Sequence, residues 1–237
     1  MDGGLGMARA LGFRFLDAEG HETILTPGDL PRLERIDDGR ARQDLGRAQI
    51  LALHDVATPL LGPRGAARLF GAQKGASAEQ IASLDEGLGL LAGAIRRWKG
   101  AAATEIASLP GGGSAGGLGA GAVAFLGAKL EPGASYLLKI VEFTEKLVRC
   151  VVLVTGEGAL DGRSFEGKLT GALLEKAVAA GKRAVIVAGR CDGALPAGCR
   201  SDLEILTGKQ LPGEHEILTG PDLAALGRII AARLSRE

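Results

Sequence analysis

Residues 150–155 read Cys-Val-Val-Leu-Val-Thr, an unbroken apolar run dominated by β-branched side chains. Such a run is typical of a central strand in a parallel sheet, because that strand is buried on both faces. A helical pattern follows at residues 168–180, and residues 184–188 repeat the strand pattern as Ala-Val-Ile-Val-Ala. The order strand, helix, strand predicts a parallel βαβ unit, and therefore an α/β fold with a Rossmann- or flavodoxin-like sheet.

The residues after the first strand are predicted to lie where ligands bind, since ligands of parallel sheets sit beyond the carboxyl ends of the strands. Residues 155–161 read Thr-Gly-Glu-Gly-Ala-Leu-Asp and are predicted to form a glycine-rich turn. Glu157 and Asp161 could hold Mg²⁺ or accept the proton of a substrate hydroxyl. The alternative is that both residues only shape and cap the turn.

Lys168 stands at the predicted start of the next helix, where it could bind a phosphate or a carboxylate, or remain a solvated surface lysine. Residues 162–168 have the spacing G-x-x-x-x-G-K, which resembles a phosphate-binding P-loop. A P-loop follows its strand directly and continues with Ser or Thr. Here Leu169 stands in that place and Gly162 lies well past the predicted strand end, so the P-loop interpretation is rejected.

A second glycine-rich segment covers residues 110–121 (Pro-Gly-Gly-Gly-Ser-Ala-Gly-Gly-Leu-Gly-Ala-Gly) and leads into a small-residue helix. Backbone N–H groups in front of a helix can bind an anion. The alternatives are a flexible linker and tight helix packing. Gly111, Gly113 and Gly116 also fit the dinucleotide pattern G-x-G-x-x-G, but residues 108–110 make a poor preceding strand, which disfavours that interpretation.

The N-terminal half contains an acidic strand end and one clear helix. Residues 49–56 are predicted to form a buried strand, and Asp55 near its end could act as a metal ligand, a general base or a turn cap. A capping box of Ser77 and Gln80 predicts a helix over residues 77–98. Apolar residues recur every three or four positions along this helix, which predicts one core-facing side.

The composition excludes several classes of function. The 237 residues include 28 Lys and Arg and 28 Asp and Glu, so no basic excess favours binding to nucleic acid or to an anionic membrane. Aromatic residues are 3% of the chain, which leaves few side chains for stacking on bases. Three cysteines without a C-x-x-C pair argue against a disulfide scaffold or a zinc site. The sequence also shows no signal peptide and no membrane-spanning run. Together with the cysteine pattern, this predicts a cytoplasmic protein.

Four segments resemble motifs of the bacterial glycerate kinase family. Residues 2–12 resemble the family's DGGAGMxxALG, and residues 54–76 resemble CDVxNPLxGxxGAAxxFGPQKGA. Residues 110–120 resemble PGAGAAGGLGA, and residues 154–168 resemble ITGEGRLDxQSxxGK. No single motif is specific, but the four occur in the family's order.

The resemblance implies a kinase that uses ATP and Mg²⁺ to phosphorylate a hydroxyl of D-glycerate, a small-molecule substrate, in a cleft between two α/β domains. It implies a partial middle domain of the glycerate kinase type over residues 1–130, and a C-terminal parallel part of the nucleotide or substrate domain over residues 131–237. The residues expected to act in catalysis are Asp55, Asp161 and Lys168. The residues expected to hold the metal are Glu157 and Asp161. Those expected to bind ATP are Gly111, Gly112, Gly113, Ser114, Gly116, Gly117, Gly156, Glu157 and Gly158. Those expected to bind the substrate are Asp2, Gly3, Gly4, Gln73 and Lys74.

The chain also departs from the family pattern. The PDSFK and GGEGT motifs are absent, Ala159 replaces a usual Arg, Ala72 replaces a Pro, and the tail after Gly189 follows the pattern poorly. We therefore expect a truncated or degenerate member. An alternative function is a catalytically inactive remnant that binds a small anion or a protein partner, and a nicotinamide-dependent oxidoreductase rests on the glycine pattern alone. Missing strands would leave a sheet edge exposed, which predicts a possible homodimer.

Overall fold

The chain divides into two compact units, Met1–Gly133 and Ala134–Glu237, in a computed structural model. The structure describes residues 1–22, 26–41, 48–100, 105–192, 203–211 and 218–234. Both units mix helices with strands, and their sheets include parallel pairs. The predicted α/β fold class is therefore confirmed, whereas the functional identity of the two predicted domains stays a prediction.

The first unit contains two small two-stranded sheets and four α-helices among its described residues. Its elements are α1 (Leu5–Ala10), β1 (Arg14–Leu16), β2 (Arg35–Asp37), β3 (Leu51–His54), α2 (Ala66–Phe70), α3 (Ala78–Lys99), α4 (Ser114–Leu126) and β4 (Lys129–Pro132). Strands β1 and β2 pair antiparallel, and β3 and β4 pair parallel. Short 3-10 helices lie at Pro27–Arg32 and Ala72–Lys74.

Helix α3 organises the core of the first unit, as its sequence predicts. Ser77 Oγ accepts a hydrogen bond from the backbone N–H of Gln80, and the Gln80 side chain accepts one from the N–H of Ser77, so the capping box is present. Leu88, Leu91 and Ile95 are buried on one side of the helix in the same apolar cluster as residues of α1 and α4. Local capping and a long apolar stripe are both sequence signals, and for that reason this helix could be predicted.

The second unit contains one parallel sheet covered by helices on both faces. Its elements are α5 (Gly133–Ile140), α6 (Phe143–Val148), β5 (Val152–Leu160), α7 (Leu169–Ala179), β6 (Arg183–Cys191), β7 (Leu203–Leu206) and α8 (Gly220–Leu234). The described strands lie in the order β5, β6, β7 and are all parallel. Residues of α7 pack with one set of strand side chains and residues of α8 with the other. The βαβ unit predicted from the two apolar runs is thus present.

One local prediction is wrong. Residues 155–160 form no turn but continue β5, pairing with β6 as far as Leu160, because ladder hydrogen bonds with a neighbouring strand outweigh the low strand propensity of glycine. Strand β4 ends at Pro132, a position where a proline is tolerated. Helices α5 and α6 are separated by Glu142, which has a φ of 52°.

Two of the three cysteines lie in the described part of the chain. Cys150 and Cys191 are free and exposed. Cys199, the third cysteine of the sequence, lies outside the described residues. No helix in the part of the chain that the structure describes is both long and apolar enough to cross a membrane.

Candidate functional site

The carboxyl end of β5 places Asp161, one of the predicted catalytic residues. Asp161 follows the last residue of the strand, and a 3-10 turn over Gly162–Phe165 comes directly after it. Ser164 in this turn is fully buried, and its Oγ accepts a hydrogen bond from the N–H of Asp161 at 3.2 Å. The N–H of Ser164 donates to the carbonyl of Asp161 at 3.0 Å. This reciprocal pair fixes the backbone at the strand end, where Asp161 stands.

Lys168 contacts the second acidic residue of this segment. It lies immediately before α7, and its Nζ donates to Oε1 of Glu157 at 3.3 Å. The Glu157 side chain is 16% exposed and that of Lys168 is 38% exposed, so the ion pair is only partly solvated. Gly171 allows α7 to approach closely, because an added Cβ there would lie 2.7 Å from the carbonyl oxygen of Ser164.

Glu157 has one carboxylate oxygen that is not satisfied. Its Oε2 is buried and has no hydrogen-bond partner among the described residues, whereas Oε1 is bound by Lys168. A buried oxygen without a partner is costly, and each such atom in a folded protein needs an explanation. A proton, a cation or a ligand hydroxyl at this oxygen would remove the cost. Residues 157–168 of the second unit thus carry an ion pair, Glu157 with Lys168, and a carboxylate at the strand end, Asp161.

In the first unit, the glycine-rich loop meets the N-terminal segment. The N–H of Gly3 donates to the carbonyl of Gly116 at 3.1 Å. A Cβ added at Gly117 would lie 2.8 Å from Cα of Gly3, and Gly3 and Gly4 have positive φ angles of 64° and 86°. Only residues without side chains allow this approach of two backbones. The structure therefore brings together two sets of predicted site residues that are more than 100 positions apart in sequence.

The same loop contacts the segment that follows β3. The N–H of Gly113 donates to the carbonyl of Thr58 at 2.9 Å, and the hydroxyl of Ser114 donates to the carbonyl of Val56 at 3.3 Å. A Cβ added at Gly111 would lie 2.4 Å from the ring of His54. Asp55, between these contacts, is exposed. Three predicted segments thus converge around the start of α4.

These contacts give most loop glycines a structural reason. Gly111, Gly112, Gly113, Gly116 and Gly117 are all buried. Tight packing, one of the alternatives drawn from the sequence, accounts for them without a ligand, and their role in ATP binding stays a prediction.

Asp2 also has a structural role. Its two carboxylate oxygens accept hydrogen bonds from the N–H groups of Gly4 and Gly6, each at 3.0 Å. The carboxylate therefore satisfies N–H groups at the start of α1 that have no partner within the helix. Its predicted contact with substrate is untested.

Lys74 lines a pocket beside the glycine-rich loop. The pocket has a volume of about 460 Å³ and includes Met1, Gly28, Lys74, Gln80 and Ser83 in its lining. Met1 adjoins the loop, since its Cα lies 3.0 Å from the position of a Cβ added at Gly116. Gln73 is exposed on the same 3-10 turn but does not line this pocket.

The ligands available for a metal ion can be judged from the described residues. Within the described ranges, no group of three or more His, Cys, Asp or Glu residues is arranged to hold a metal ion. Mg²⁺ in phosphoryl-transfer sites is usually held by one or two carboxylates together with substrate phosphates and water. The unsatisfied oxygen of Glu157 fits such a partial ligand set.

Two residues of this region were missed by the sequence analysis. Ser164 carries no motif signal of its own beyond its place in the resemblance to residues 154–168. Arg190 lies on β6 directly opposite Ala159, two residues beyond the predicted strand end at Ala188. The apolar pattern stops at that point, so only strand pairing reveals that Arg190 belongs to the same sheet edge.

Comparison with known proteins agrees with the motifs. The glycerate kinase family model matches residues 1–206. Glycerate 2-kinase of Escherichia coli (strain K12) is 39% identical over 168 residues, which are 71% of this chain and 43% of that protein. A glycerate kinase of Halalkalibacterium halodurans is 39% identical over 188 residues, which are 79% of this chain and 49% of that protein. The chain thus spans slightly less than half the length of these curated relatives.

A solved structure shows the same relationship. The crystal structure of a protein from Salmonella typhimurium LT2, assigned to glycerate kinase 2, superposes with a TM-score of 0.66 at 30% sequence identity. The alignment covers 98% of this chain and 62% of that chain. With the family match over most of its length, the chain belongs to the glycerate kinase family.

Proposed function

We propose that this protein acts as an ATP-dependent kinase that phosphorylates a hydroxyl of D-glycerate. The observation that carries the proposal is the strand end of β5, where Lys168 binds one oxygen of Glu157 and leaves the other without a partner. Asp161 stands at the same strand end, in a turn fixed by Ser164. Relatives named glycerate kinase and glycerate 2-kinase support the same reaction class.

The proposed chemistry is in-line transfer of the terminal phosphoryl group of ATP. The substrate hydroxyl oxygen forms a bond to the γ-phosphorus, and the bond from that phosphorus to the bridging oxygen of ADP breaks. Asp161 accepts the proton that the hydroxyl loses. Lys168 neutralises charge on the transferred group, which in a partly water-excluded site contributes more than it would in water.

Mg²⁺ fits this arrangement as a partner of the nucleotide. We propose that Glu157, with Asp161 as the second carboxylate, contributes ligands to an ion whose other ligands are phosphate oxygens and water. When bound, the ion would supply charge neutralisation at the phosphates. The oxygen of Glu157 that has no protein partner is the feature that supports this assignment.

The first unit is proposed to bind the organic acid. Lys74 lines a pocket of about 460 Å³, large enough for a three-carbon acid, and supplies a cation for its carboxylate. Gln73, Gly3 and Gly4 are proposed to assist, with Asp2 maintaining the position of its neighbours through α1.

The remaining assigned residues lie in the glycine-rich loop, on β5 and directly after β3. Gly111, Gly112, Gly113, Ser114, Gly116 and Gly117 stay candidates for binding phosphate through the backbone. Gly156 and Gly158 stay candidates on β5. Asp55 stays a candidate auxiliary base.

A catalytically inactive family member that binds a small anion or a protein partner is the second candidate function. The observation that favours it is Ala159, which stands on β5 where the resembling motif has an arginine, so one guanidinium is absent beside the proposed site. The predicted cytoplasmic location and homodimer remain predictions for either function.

The kinase is tested by a coupled assay of ADP release with D-glycerate, ATP and Mg²⁺ on the purified chain. We expect Asp161→Asn to lower kcat by about 10²- to 10⁴-fold, the range for loss of a general base. Glu175→Gln is the matched control, because Glu175 is an exposed carboxylate on α7. A folded, monodisperse sample without turnover would exclude the kinase for this chain and leave the inactive remnant.

A further inference from the structure

Strand β5 is an edge strand of the second-unit sheet. Among the described residues it pairs with β6 alone, so no described strand lies along its other side. The strand has 9 residues, Val152–Leu160, and is therefore longer than the usual strand of about five or six. An edge strand presents a row of N–H and C=O groups that can pair with a strand of another chain.

The residues of β5 do not protect this edge. Natural edge strands are commonly blunted by lysine, by proline or by short length. Residues 152–160 contain no lysine and no proline, and their one charged residue, Glu157, is engaged by Lys168. Apolar side chains are exposed instead, since Val151, directly before the strand, is 86% exposed and Val154, within it, is 48% exposed. The edge is therefore suited to pairing with another strand.

One face of β5 has two complementary halves. Side chains alternate along a strand, so Val154, Gly156 and Gly158 share one face, and all three residues are exposed. A Cβ added at Gly158 would meet no atom within 4 Å, whereas Val154 projects a branched side chain. The strand thus carries a projecting side chain in its first half and open space in its second half.

A second copy of the same strand fits this arrangement. A twofold axis perpendicular to the sheet pairs β5 antiparallel with itself, so the first half of one strand lies beside the second half of the other. A slip of one residue exchanges the two faces of a strand, so the faces stay continuous only if the axis passes through a residue. An axis at Thr155 places Val154 opposite the partner's Gly156, and an axis at Gly156 places it opposite the partner's Gly158.

The other face of the strand favours the axis at Gly156. Leu153 then lies opposite the partner's Ala159, which makes an apolar pair. Thr155 lies opposite the partner's Glu157, where its hydroxyl can donate to the carboxylate. With the axis at Thr155, Leu153 would instead lie opposite that carboxylate, and an apolar side chain offers no donor for the water contacts that the carboxylate would lose.

We propose that two copies of this chain associate through β5, as an antiparallel strand pair centred on Gly156. The pairing joins the second-unit sheets of the two copies into one continuous sheet. The formal net charge of the chain is zero, so no net repulsion opposes association. The arrangement closes at two copies, because each copy uses this edge strand once. This surface gives the predicted homodimer a defined contact and does not depend on the proposed kinase reaction.

Association is tested by analytical ultracentrifugation of the purified chain. A strand pair is smaller than a standard protein interface, so we expect a reversible monomer–dimer equilibrium with a Kd of about 1–100 μM. Val154→Lys replaces the projecting apolar side chain by a charged one that pairing would desolvate, and should raise the Kd at least about tenfold. Val178→Lys is the matched control, because Val178 is 43% exposed but lies on α7.

The register is tested by exchanging the two complementary residues. Gly158→Val fills the open space that the partner's Val154 would occupy and is expected to raise the Kd at least about tenfold. The double variant Val154→Gly/Gly158→Val restores one valine opposite one glycine, and its Kd is expected to return to within about threefold of wild type. Circular dichroism and thermal unfolding verify that each variant folds.

Three results would overturn these expectations. A wild-type chain that stays monomeric at about 200 μM, above the expected Kd range, would overturn the dimer. Equal Kd values for Val154→Lys and Val178→Lys would overturn the role of the β5 edge. Recovery of association in Val154→Gly/Gly156→Val, and not in the exchange with Gly158, would place the axis at Thr155. If Val154→Lys does not fold, Gly158→Val tests the same contact, because valine is favoured in strands.

Discussion

Both units contain glycine-rich motifs, but the space above those glycines differs. In the first unit, a Cβ added at Gly113 or Gly117 would lie 2.2 Å from the carbonyl oxygen of Pro59 or 2.8 Å from Cα of Gly3. In the second unit, a Cβ at Gly158 would meet no atom within 4 Å. Other atoms of the protein occupy the space beside Gly113 and Gly117, whereas the space beside Gly158 is open. A glycine-rich sequence therefore marks backbone that another group could approach closely. Only the structure shows whether the protein itself occupies that space.

The largest expected effect distinguishes these two kinds of glycine. Gly117→Ala combines a clash with Gly3 and a φ of 94°, so we expect it to lower the free energy of unfolding by about 3 kcal/mol or more. Gly158→Ala is expected to stay within about 0.5 kcal/mol of wild type. Urea unfolding followed by tryptophan fluorescence measures the first change, because Trp98 is the only tryptophan and packs on Phe125 in the first unit.

Gly158→Ala itself is measured by far-UV circular dichroism, since the second unit contains no tryptophan. Comparable destabilisation by both alanines would show that the open space at Gly158 does not exist in solution. A stable Gly117→Ala would show instead that the contact between the loop and residues 2–4 is loose.

The same contrast shows what the sequence could and could not reveal. The two apolar runs at residues 150–155 and 184–188 predict β5 and β6, and local capping predicts α3, because these signals lie within a few positions of one another. The extension of β5 to Leu160 depends on its partner strand. The atoms that occupy the space beside Gly113 and Gly117 belong to residues 59 and 3, which are distant in sequence.

The candidate site follows the same rule. Glu157, Asp161 and Lys168 lie within 12 positions, and a motif could therefore point to all three. Arg190 comes from β6, opposite Ala159, and carries no pattern that singles it out. Side chains that reach a site from other elements can be found only when the register of the strands is known.

A smaller effect is expected from the two serines that hold these regions in place. Ser164→Ala removes the Oγ that accepts from the N–H of Asp161 and donates to the carbonyl of Ala159, in a fully buried position. We expect a loss of about 1–2 kcal/mol in the free energy of unfolding. Ser114→Ala removes one 3.3 Å bond to Val56 and is expected to cost less, about 0.5–1 kcal/mol. Chemical denaturation by circular dichroism measures both.

Activity separates the two serines further. Ser164→Ala is expected to lower kcat, since the strand-end carboxylate loses its support, and to leave KM for D-glycerate unchanged. Ser114→Ala is expected to leave kcat unchanged. A fall in kcat for Ser114→Ala alone would show that the glycine-rich loop, and not the end of β5, controls the reaction.

The smallest expected effect is a pH dependence confined to the first unit. The N–H of Gly39 and then the guanidinium of Arg14 lower the pKa of Asp37 below its usual value. Since the folded state has the lower pKa, the charged carboxylate stabilises the fold above the unfolded pKa of about 3.9. That contribution is lost as the pH falls through the folded pKa.

Asp37→Asn should therefore lower the urea midpoint of Trp98 fluorescence at pH 7, and its difference from wild type should shrink as the pH falls below about 3.9, the usual unfolded pKa of an aspartate. Glu86→Gln, which removes an exposed carboxylate of α3, controls for the change in net charge. Because Asp37 lies on β2 of the first unit, any part of the far-UV transition that does not coincide with the Trp98 transition should be the same in the variant and in wild type. A shift of equal size in both signals would mean that the two units unfold as one, and each probe would then report the stability of the whole chain.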